Sequence, residues 1–250
     1  MENFLYPHFF EIENEHWWFI ARQKILWEVM EKKLQLPKGA RLLDVGCGTG
    51  AILEMFSKKY ETYGQDVSQQ AIEFCGKRGL GNLFCGTLDQ LPVPPNGFDI
   101  VTALDVIEHI EDDLGVLKQM STLLSPTGRL VITVPAFPSL WSAHDIVTHH
   151  KRRYVKSTLR AVLTQAGFRV EHISYFNFFL FPVAAVRRML ARATHSRDAR
   201  DLEVPRRSVN TILRWIFEAE KYILSLTSFP FGLSLLAFAR KDETSTYSTP

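Results

Sequence analysis

The chain has 250 residues, 46% of them hydrophobic and 22% charged, with a formal charge of +2. That length suits one large α/β domain with an insertion and can bury a substantial core. So small a net charge gives no electrostatic case for a nucleic-acid partner, and none is expected. The cysteines Cys47, Cys75 and Cys85 lack metal-ligand spacing and cannot all pair, which suits a reducing cytosol.

The first segment is aromatic. Phe9-Phe10-Glu11 and His16-Trp17-Trp18-Phe19-Ile20-Ala21-Arg22 precede any strand signal. A helix packing these rings on a sheet edge is the plain reading. The other is a helical lid over residues 1–35 that builds an apolar pocket and excludes water. Acids and aromatics come early, without the apolar core of a signal peptide, so a cytoplasmic location is expected.

Ala40-Arg41-Leu42-Leu43 reads as a strand and Ala51-Ile52-Leu53-Glu54-Met55-Phe56 as a helix. Between them, Asp44-Val45-Gly46-Cys47-Gly48-Thr49-Gly50 turns the chain through glycines at alternate positions. Such a turn lets backbone N–H groups approach a ligand at a helix N-terminus. Several nucleotide folds share the Gly-x-Gly pattern. Asp44 narrows it, because a carboxylate there repels a pyrophosphate and attracts a cationic ligand. A second strand, Thr62-Tyr63-Gly64-Gln65-Asp66, ends in an acid about 20 residues after the first glycine, where a carboxylate meets ribose hydroxyls. Asp66-Val67-Ser68 then opens a helix, where an acid also serves near a cap.

These pieces, with Leu91-Pro92, Phe98-Asp99-Ile100-Val101, Asp105-Val106-Ile107-Glu108-His109 and Gly128-Arg129-Leu130-Val131-Ile132, resemble the class I S-adenosylmethionine-dependent methyltransferases over residues 40–135. The resemblance implies S-adenosylmethionine as cofactor and S-adenosylhomocysteine as product. It implies a doubly wound, mostly parallel, Rossmann-like α/β sheet of seven strands, in the order 3-2-1-4-5-7-6 with the last strand antiparallel. It assigns Asp44, Gly46, Cys47, Gly48, Gly50, Asp66 and Val67 to the cofactor, and Leu104 and Asp105 to its methionine part. Thr87 and the backbone of Leu88 fall at the adenine. In the family an acid often stands at Thr87, which accepts one hydrogen bond without charge. His109 reads either as a base near the methyl group or as a structural histidine opening the next helix. A run of Asn/Asp-Pro-Pro-aromatic after the fourth strand, expected of nucleobase amine methylases, is missing.

Strands are expected near 40–46, 61–66, 82–86, 98–104, 128–134, 168–176 and 233–240. Helices are expected near 51–59, 68–78, 112–124, 156–166, 180–195 and 206–226. This alternation implies a largely parallel sheet covered on both faces, with ligands beyond its carboxyl edge at the topological switch. The stretch from Tyr222 to Ala239 is nearly uncharged and long enough to be weighed as a membrane span. Ser228-Phe229-Pro230-Phe231-Gly232 interrupts it, so helix, turn and final strand is preferred.

The long segment after the fifth strand carries Leu140-Trp141-Ser142-Ala143-His144-Asp145 and His149-His150-Lys151-Arg152-Arg153-Tyr154. Long loops at a sheet's carboxyl edge usually carry function. The histidine spacing is open to a metal, but no firm ligand set can be assigned, so no metal is expected. A base or orienting role for His144, Asp145 and His150 is set beside a polar loop salt-bridged to the N-terminal helix. Residues 176–228 form a helical insertion within a methyltransferase domain of 36–241, and 242–250 read as a disordered tail. The insertion joins an apolar run, Phe176 to Val186, to Arg187, Arg188, Arg192, Arg197, Arg200, Arg206 and Arg207. Either the apolar side packs on its own domain, or the segment rests peripherally on an anionic membrane. Both leave a small, hydrophobic or lipid- or phosphate-bearing acceptor as the expected partner. A nicotinamide-dependent oxidoreductase shares the glycine turn and Asp66, but not Asp44 or the Asp105–His109 run. A non-catalytic S-adenosylmethionine-binding protein keeps the fold without an acceptor pocket.

Overall fold

The computed structural model describes residues 5–93, 95–193 and 203–242. Two helices precede the sheet, α1 (Leu5–Ile12) and α2 (Trp17–Leu34). The His16 ring caps α2 by accepting the Trp18 N–H at 3.2 Å. Ala21, Ile25, Leu26, Val29 and Met30 recur at helical spacing and are buried, so α2 lays one apolar stripe on the sheet.

The strands are β1 (Arg41–Val45), β2 (Glu61–Asp66), β3 (Leu83–Cys85), β4 (Phe98–Leu104), β5 (Leu124–Pro135), β6 (Phe168–Phe176) and β7 (Ser234–Lys241). They form one sheet in the order β3-β2-β1-β4-β5-β7-β6. All neighbours run parallel except β7, which is antiparallel to β5 and to β6. The implied strand order and the lone reversed strand are therefore what the chain adopts. Leu130 to Pro135 are nearly all buried, as befits a central strand covered on both faces. Between β1 and β4 the strand order reverses, which opens a crevice at their carboxyl ends.

The remaining helices are α3 (Ala51–Ser57), α4 (Gln69–Lys77), α5 (Asp113–Leu123), α6 (Ala143–Val147), α7 (Lys156–Gln165), α8 (Phe181–Ala193), α9 (Arg207–Glu218) and α10 (Glu220–Leu224). The segment weighed as a membrane span resolves into α10, a turn and β7. Among the described residues no helix is long and apolar enough to cross a membrane. Two elements went unanticipated: the lid is a pair of helices, and the segment after β5 contains α6. Buried Glu220 secures the insertion by accepting the backbone N–H groups of Asn177 (2.7 Å), Phe178 (2.7 Å) and Phe179 (3.0 Å). Burial pushes its carboxyl up to about 7 against those three hydrogen bonds. The tail after Asp242 and the arginines at 197 and 200 lie outside the described residues, as do the side chains of Arg188 and Arg192.

Candidate active site

The glycine turn between β1 and α3 bends through the left-handed region, with φ +67° at Gly46, +55° at Gly48 and +85° at Gly50. A Cβ at Gly46 would lie 2.7 Å from the Val106 side chain, and one at Gly50 2.8 Å from the Cys75 sulfur. A Cβ at Gly48 would meet no atom within 4 Å, because that glycine faces open space. Its N–H donates to Asp66 Oδ2 at 3.0 Å, which ties the turn to the end of β2. Asp66 Oδ1 accepts the Ser68 N–H at 2.9 Å.

Asp44 sits under the same turn, 3% exposed, and accepts the Thr102 hydroxyl at 2.6 Å. Burial raises its carboxyl to about 7, against that hydrogen bond and the charge of Arg22. No described residue forms an ion pair with it. A buried carboxylate without a paired cation, beside a backbone cradle that a Cβ at Gly48 would enter, fits a ligand that is cationic and closely approached.

The cavity above this turn has a volume of about 1150 Å³. Asp44, Gly46, Cys47, Gly48, Gly50, Leu104, Asp105 and His109 line it. Asp66, Val67, Thr87 and Leu88 do not. Helix α1 lies across that end, where Tyr6 hydrogen-bonds Ser68 beside Asp66. Glu13, just after α1, is locked in place by the Thr49 hydroxyl (2.7 Å) and by Arg78, which also pairs with Glu54. Val67 is 68% exposed, and Thr87 caps a one-turn 3-10 helix over Leu88–Gln90. Helix α1 thus covers the Asp66 end of the crevice, an arrangement that local motifs do not encode.

The opposite end joins segments distant in sequence. Asp105, at the exit of β4 with φ +62°, is paired with Arg22 of α2 at 2.8 Å. The Thr133 hydroxyl accepts from Arg22 and donates to Asp105, both at 3.1 Å. Trp18 packs its ring against the Arg22 guanidinium. Beyond them the cavity wall carries Trp141, Leu180, Val183 and Leu213, from the β5–α7 connection and the insertion.

His144 and His150 both line the cavity; Asp145 does not. Asp145 is fully buried behind them and accepts from Arg153 Nε (2.7 Å) and a second guanidinium nitrogen (2.9 Å). It also accepts from the Ser142 backbone (2.7 Å) and faces His150 Nδ1 at 2.8 Å. Burial works to raise its carboxyl, but the His150 and Arg153 hydrogen bonds prevail and hold it well below the usual range. So depressed a carboxylate is a poor base, and its geometry is that of a residue orienting the His150 ring. His109 packs its ring edge-on to His150, 4.7 Å between centroids, and burial lowers it to about 4. Glu108, fully buried, was visible in the motif without a role. Thr133 and Glu13 carried no sequence signal, because each matters only through a partner far along the chain.

A family profile described as a methyltransferase domain matches residues 13–173. The chain belongs to the class I S-adenosylmethionine-dependent methyltransferases. Its cofactor is S-adenosylmethionine. It is 34% identical over 136 residues to a demethylmenaquinone methyltransferase of Geobacillus kaustophilus, matching 50% of this chain and 58% of that one. It is 33% identical over 167 residues to a mouse protein named "Probable tRNA methyltransferase 9B", matching 64% of this chain but 37% of that one. A ubiquinone biosynthesis O-methyltransferase of Xanthomonas euvesicatoria is 26% identical over 174 residues, with 62% and 72% matched. The chain thus spans less than two thirds of the length of the first two relatives. In fold it resembles an S-adenosylmethionine-dependent methyltransferase of Mesorhizobium loti, with a TM-score of 0.56, 18% identity, and 87% and 98% of the chains covered.

Proposed function

We propose that the chain methylates an oxygen of an apolar, ring-bearing acceptor of the quinone-precursor class, taken from a membrane surface. The observation that carries this reading is the cavity beyond the glycine turn. It is larger than a single small ligand usually needs, and its far wall is formed by Trp18, Trp141, Leu180, Val183 and Leu213. Two relatives are named for quinone chemistry, and one of those names specifies oxygen.

Bound S-adenosylmethionine supplies a methyl group on a positively charged sulfur. The chain's part is to align an acceptor oxygen with it, exclude water and handle the hydroxyl proton. Trp18 and Trp141 exclude water. Asp44 and Asp105 set negative charge on the cofactor side. The polar wall of Glu108, His109 and His150 receives the acceptor hydroxyl, with Asp145 fixing the His150 ring and His144 beside it.

Access from a membrane rests on α9 and α10. Helix α9 packs on α2 and leaves Ile212 (53%) and Trp215 (64%) exposed, while α10 and the turn after it expose Tyr222 (62%) and Leu226 (86%). Arg206 and Arg207, exposed at the start of α9, favour an anionic lipid surface. Pro205 and Leu213 at this face also line the cavity.

The test offers methyl-labelled S-adenosylmethionine with hydroxylated prenyl quinols, and in parallel with bulk tRNA. Label should enter the lipid-soluble fraction, and His150→Ala should lower turnover by about 10²-fold or more while cofactor affinity holds. Label in tRNA and none in the quinols would overturn the acceptor class. The protein should float with anionic vesicles at low salt and be released as salt rises, less so after Trp215→Glu. No flotation at low salt rules out the membrane route.

A further inference from the structure

We infer that Glu108, His109 and His150 form a binding site for a divalent first-row transition ion at the acceptor end of the cavity. One ligand atom from each of the three lies within 4.8 Å of the others. Ligand bonds near 2.1 Å in a tetrahedral set hold the ligand atoms about 3.4 Å apart, so closing around one ion asks for a contraction of about 1.4 Å at most.

The valences at this cluster point the same way. Glu108 is fully buried, yet neither carboxylate oxygen has a hydrogen-bond partner among the described residues. A buried carboxylate is normally paired, hydrogen-bonded or bound to a metal. A cation would use both oxygens. The buried Nδ1 of His109 has no hydrogen-bond partner among the described residues. His150 holds Nδ1 against Asp145 at 2.8 Å, which turns Nε2 toward Glu108 Oε1 at 4.0 Å.

That arrangement supplies the second layer a metal site needs. A carboxylate fixing the far nitrogen of a liganding histidine sets its tautomer and orientation. Asp145 is itself clamped by Arg153 and Ser142, so the ring cannot swing away. The Lys151 N–H donates to the Glu108 carbonyl at 2.7 Å and joins the two segments at the backbone. Two imidazoles and one carboxylate suit Zn²⁺, Fe²⁺, Co²⁺ or Mn²⁺ better than Mg²⁺ or Ca²⁺, which prefer all-oxygen sets. All three residues also border the cavity.

The consequence for catalysis rests on the acceptor reading above. An acceptor hydroxyl completing the ligand set would have its pKa lowered by the ion. Its O–H bond would break with the proton leaving to solvent. The oxygen would then form its bond to the methyl carbon as the sulfur–carbon bond breaks. Metal binding itself does not depend on that reading.

Chelator-stripped full-length protein dialysed against Zn²⁺ and against Co²⁺ should take up about one ion per chain. Glu108→Gln and His109→Ala should each weaken uptake at least about tenfold. His172→Ala, a half-buried histidine on β6 that does not line the cavity, should not. Circular dichroism and denaturant unfolding, unchanged in the first two variants, would certify their folding. Cobalt should give a visible spectrum of nitrogen and oxygen ligation. A thiolate-to-cobalt charge-transfer band would put the ion on the adjoining Cys47 and Cys75 and overturn the assignment. So would no stoichiometric uptake by the unaltered chain, or uptake indifferent to Glu108→Gln and His109→Ala. Uptake by this trio without methyl transfer to quinols would uphold the metal site and count against the acceptor class alone.

Discussion

The two ends of the cavity are built by different means. The cofactor end is one contiguous turn between β1 and α3, secured by backbone groups to strand ends beside it. Gly48 and Asp66, bonded at 3.0 Å, are 18 positions apart. The acceptor end is assembled from α2, the exits of β4 and β5, α6 and the insertion. Arg22 reaches Thr133 across 111 positions, and the Trp17 N–H reaches Asn210 Oδ1 across 193. Backbone cradles tolerate side-chain change provided the glycines remain, whereas a long-range assembly depends on each buried pair. Damage to the second end should therefore register first as instability, and damage to the first as lost ligand affinity.

The largest expected effect is at Asp145. Asp145→Ala would leave the Arg153 guanidinium buried and unpaired, a loss of about 3–5 kcal/mol for a pair of this burial. Denaturant unfolding should report it, with the β5–α7 connection losing amide protection earliest. Asp145→Leu together with Arg153→Met, which removes both charges, should recover much of the loss. If Asp145→Ala shifts stability by no more than a surface substitution does, the acceptor end is not held by this pair and the contrast fails.

A smaller effect belongs to the cofactor end. Asp66→Ala should leave stability near its starting value and weaken S-adenosylhomocysteine binding by about 1–3 kcal/mol. The loss combines a ribose acceptor with the anchor of the Gly48 amide. Calorimetric affinity unaltered by Asp66→Ala would mean that the nucleoside lies elsewhere under α1.

The same contrast explains what could be read from the chain. Alternating glycines, Asp44 and Asp66 are constraints within a few residues of a strand end, and each has a local physical reason. Strand order was implied only by the family that such pieces resemble. The role of Asp145 did not follow. Its density of charged neighbours suggested a base, but only folding shows Arg153 turned inward onto it and away from solvent. Arg22 and Thr133 likewise meet Asp105 through packing of α2 on the sheet, and no spacing rule connects them. Glu13 closes over the glycine turn for the same reason, which is why its hold on Thr49 and Arg78 stayed hidden.

The smallest effect is a pH dependence that separates the two ends without a change of fold. Burial, the main cause, raises the Asp44 carboxyl from 3.8 to about 7, against the Thr102 hydrogen bond and the Arg22 charge. In the unfolded chain the same group ionises near its ordinary value of about 4. Between about pH 4 and 7 the folded chain thus holds the extra proton, so this group's contribution to stability falls as pH rises and levels off above 7. A cationic ligand opposes this, because it favours the ionised carboxylate and expels the proton on binding. S-adenosylmethionine affinity should therefore climb by up to about tenfold per pH unit between 5 and 7, then flatten. Calorimetry in two buffers of different protonation heat should detect proton release at pH 6 and almost none at pH 8. S-adenosylhomocysteine, lacking the sulfonium charge, should show a shallower slope, and Asp44→Asn should show none. Equal slopes for the two ligands would mean that Asp44 answers to the ammonium alone. A flat profile for S-adenosylmethionine in the unaltered chain would remove Asp44 from the cation's surroundings and leave the glycine turn to hold the cofactor by its backbone.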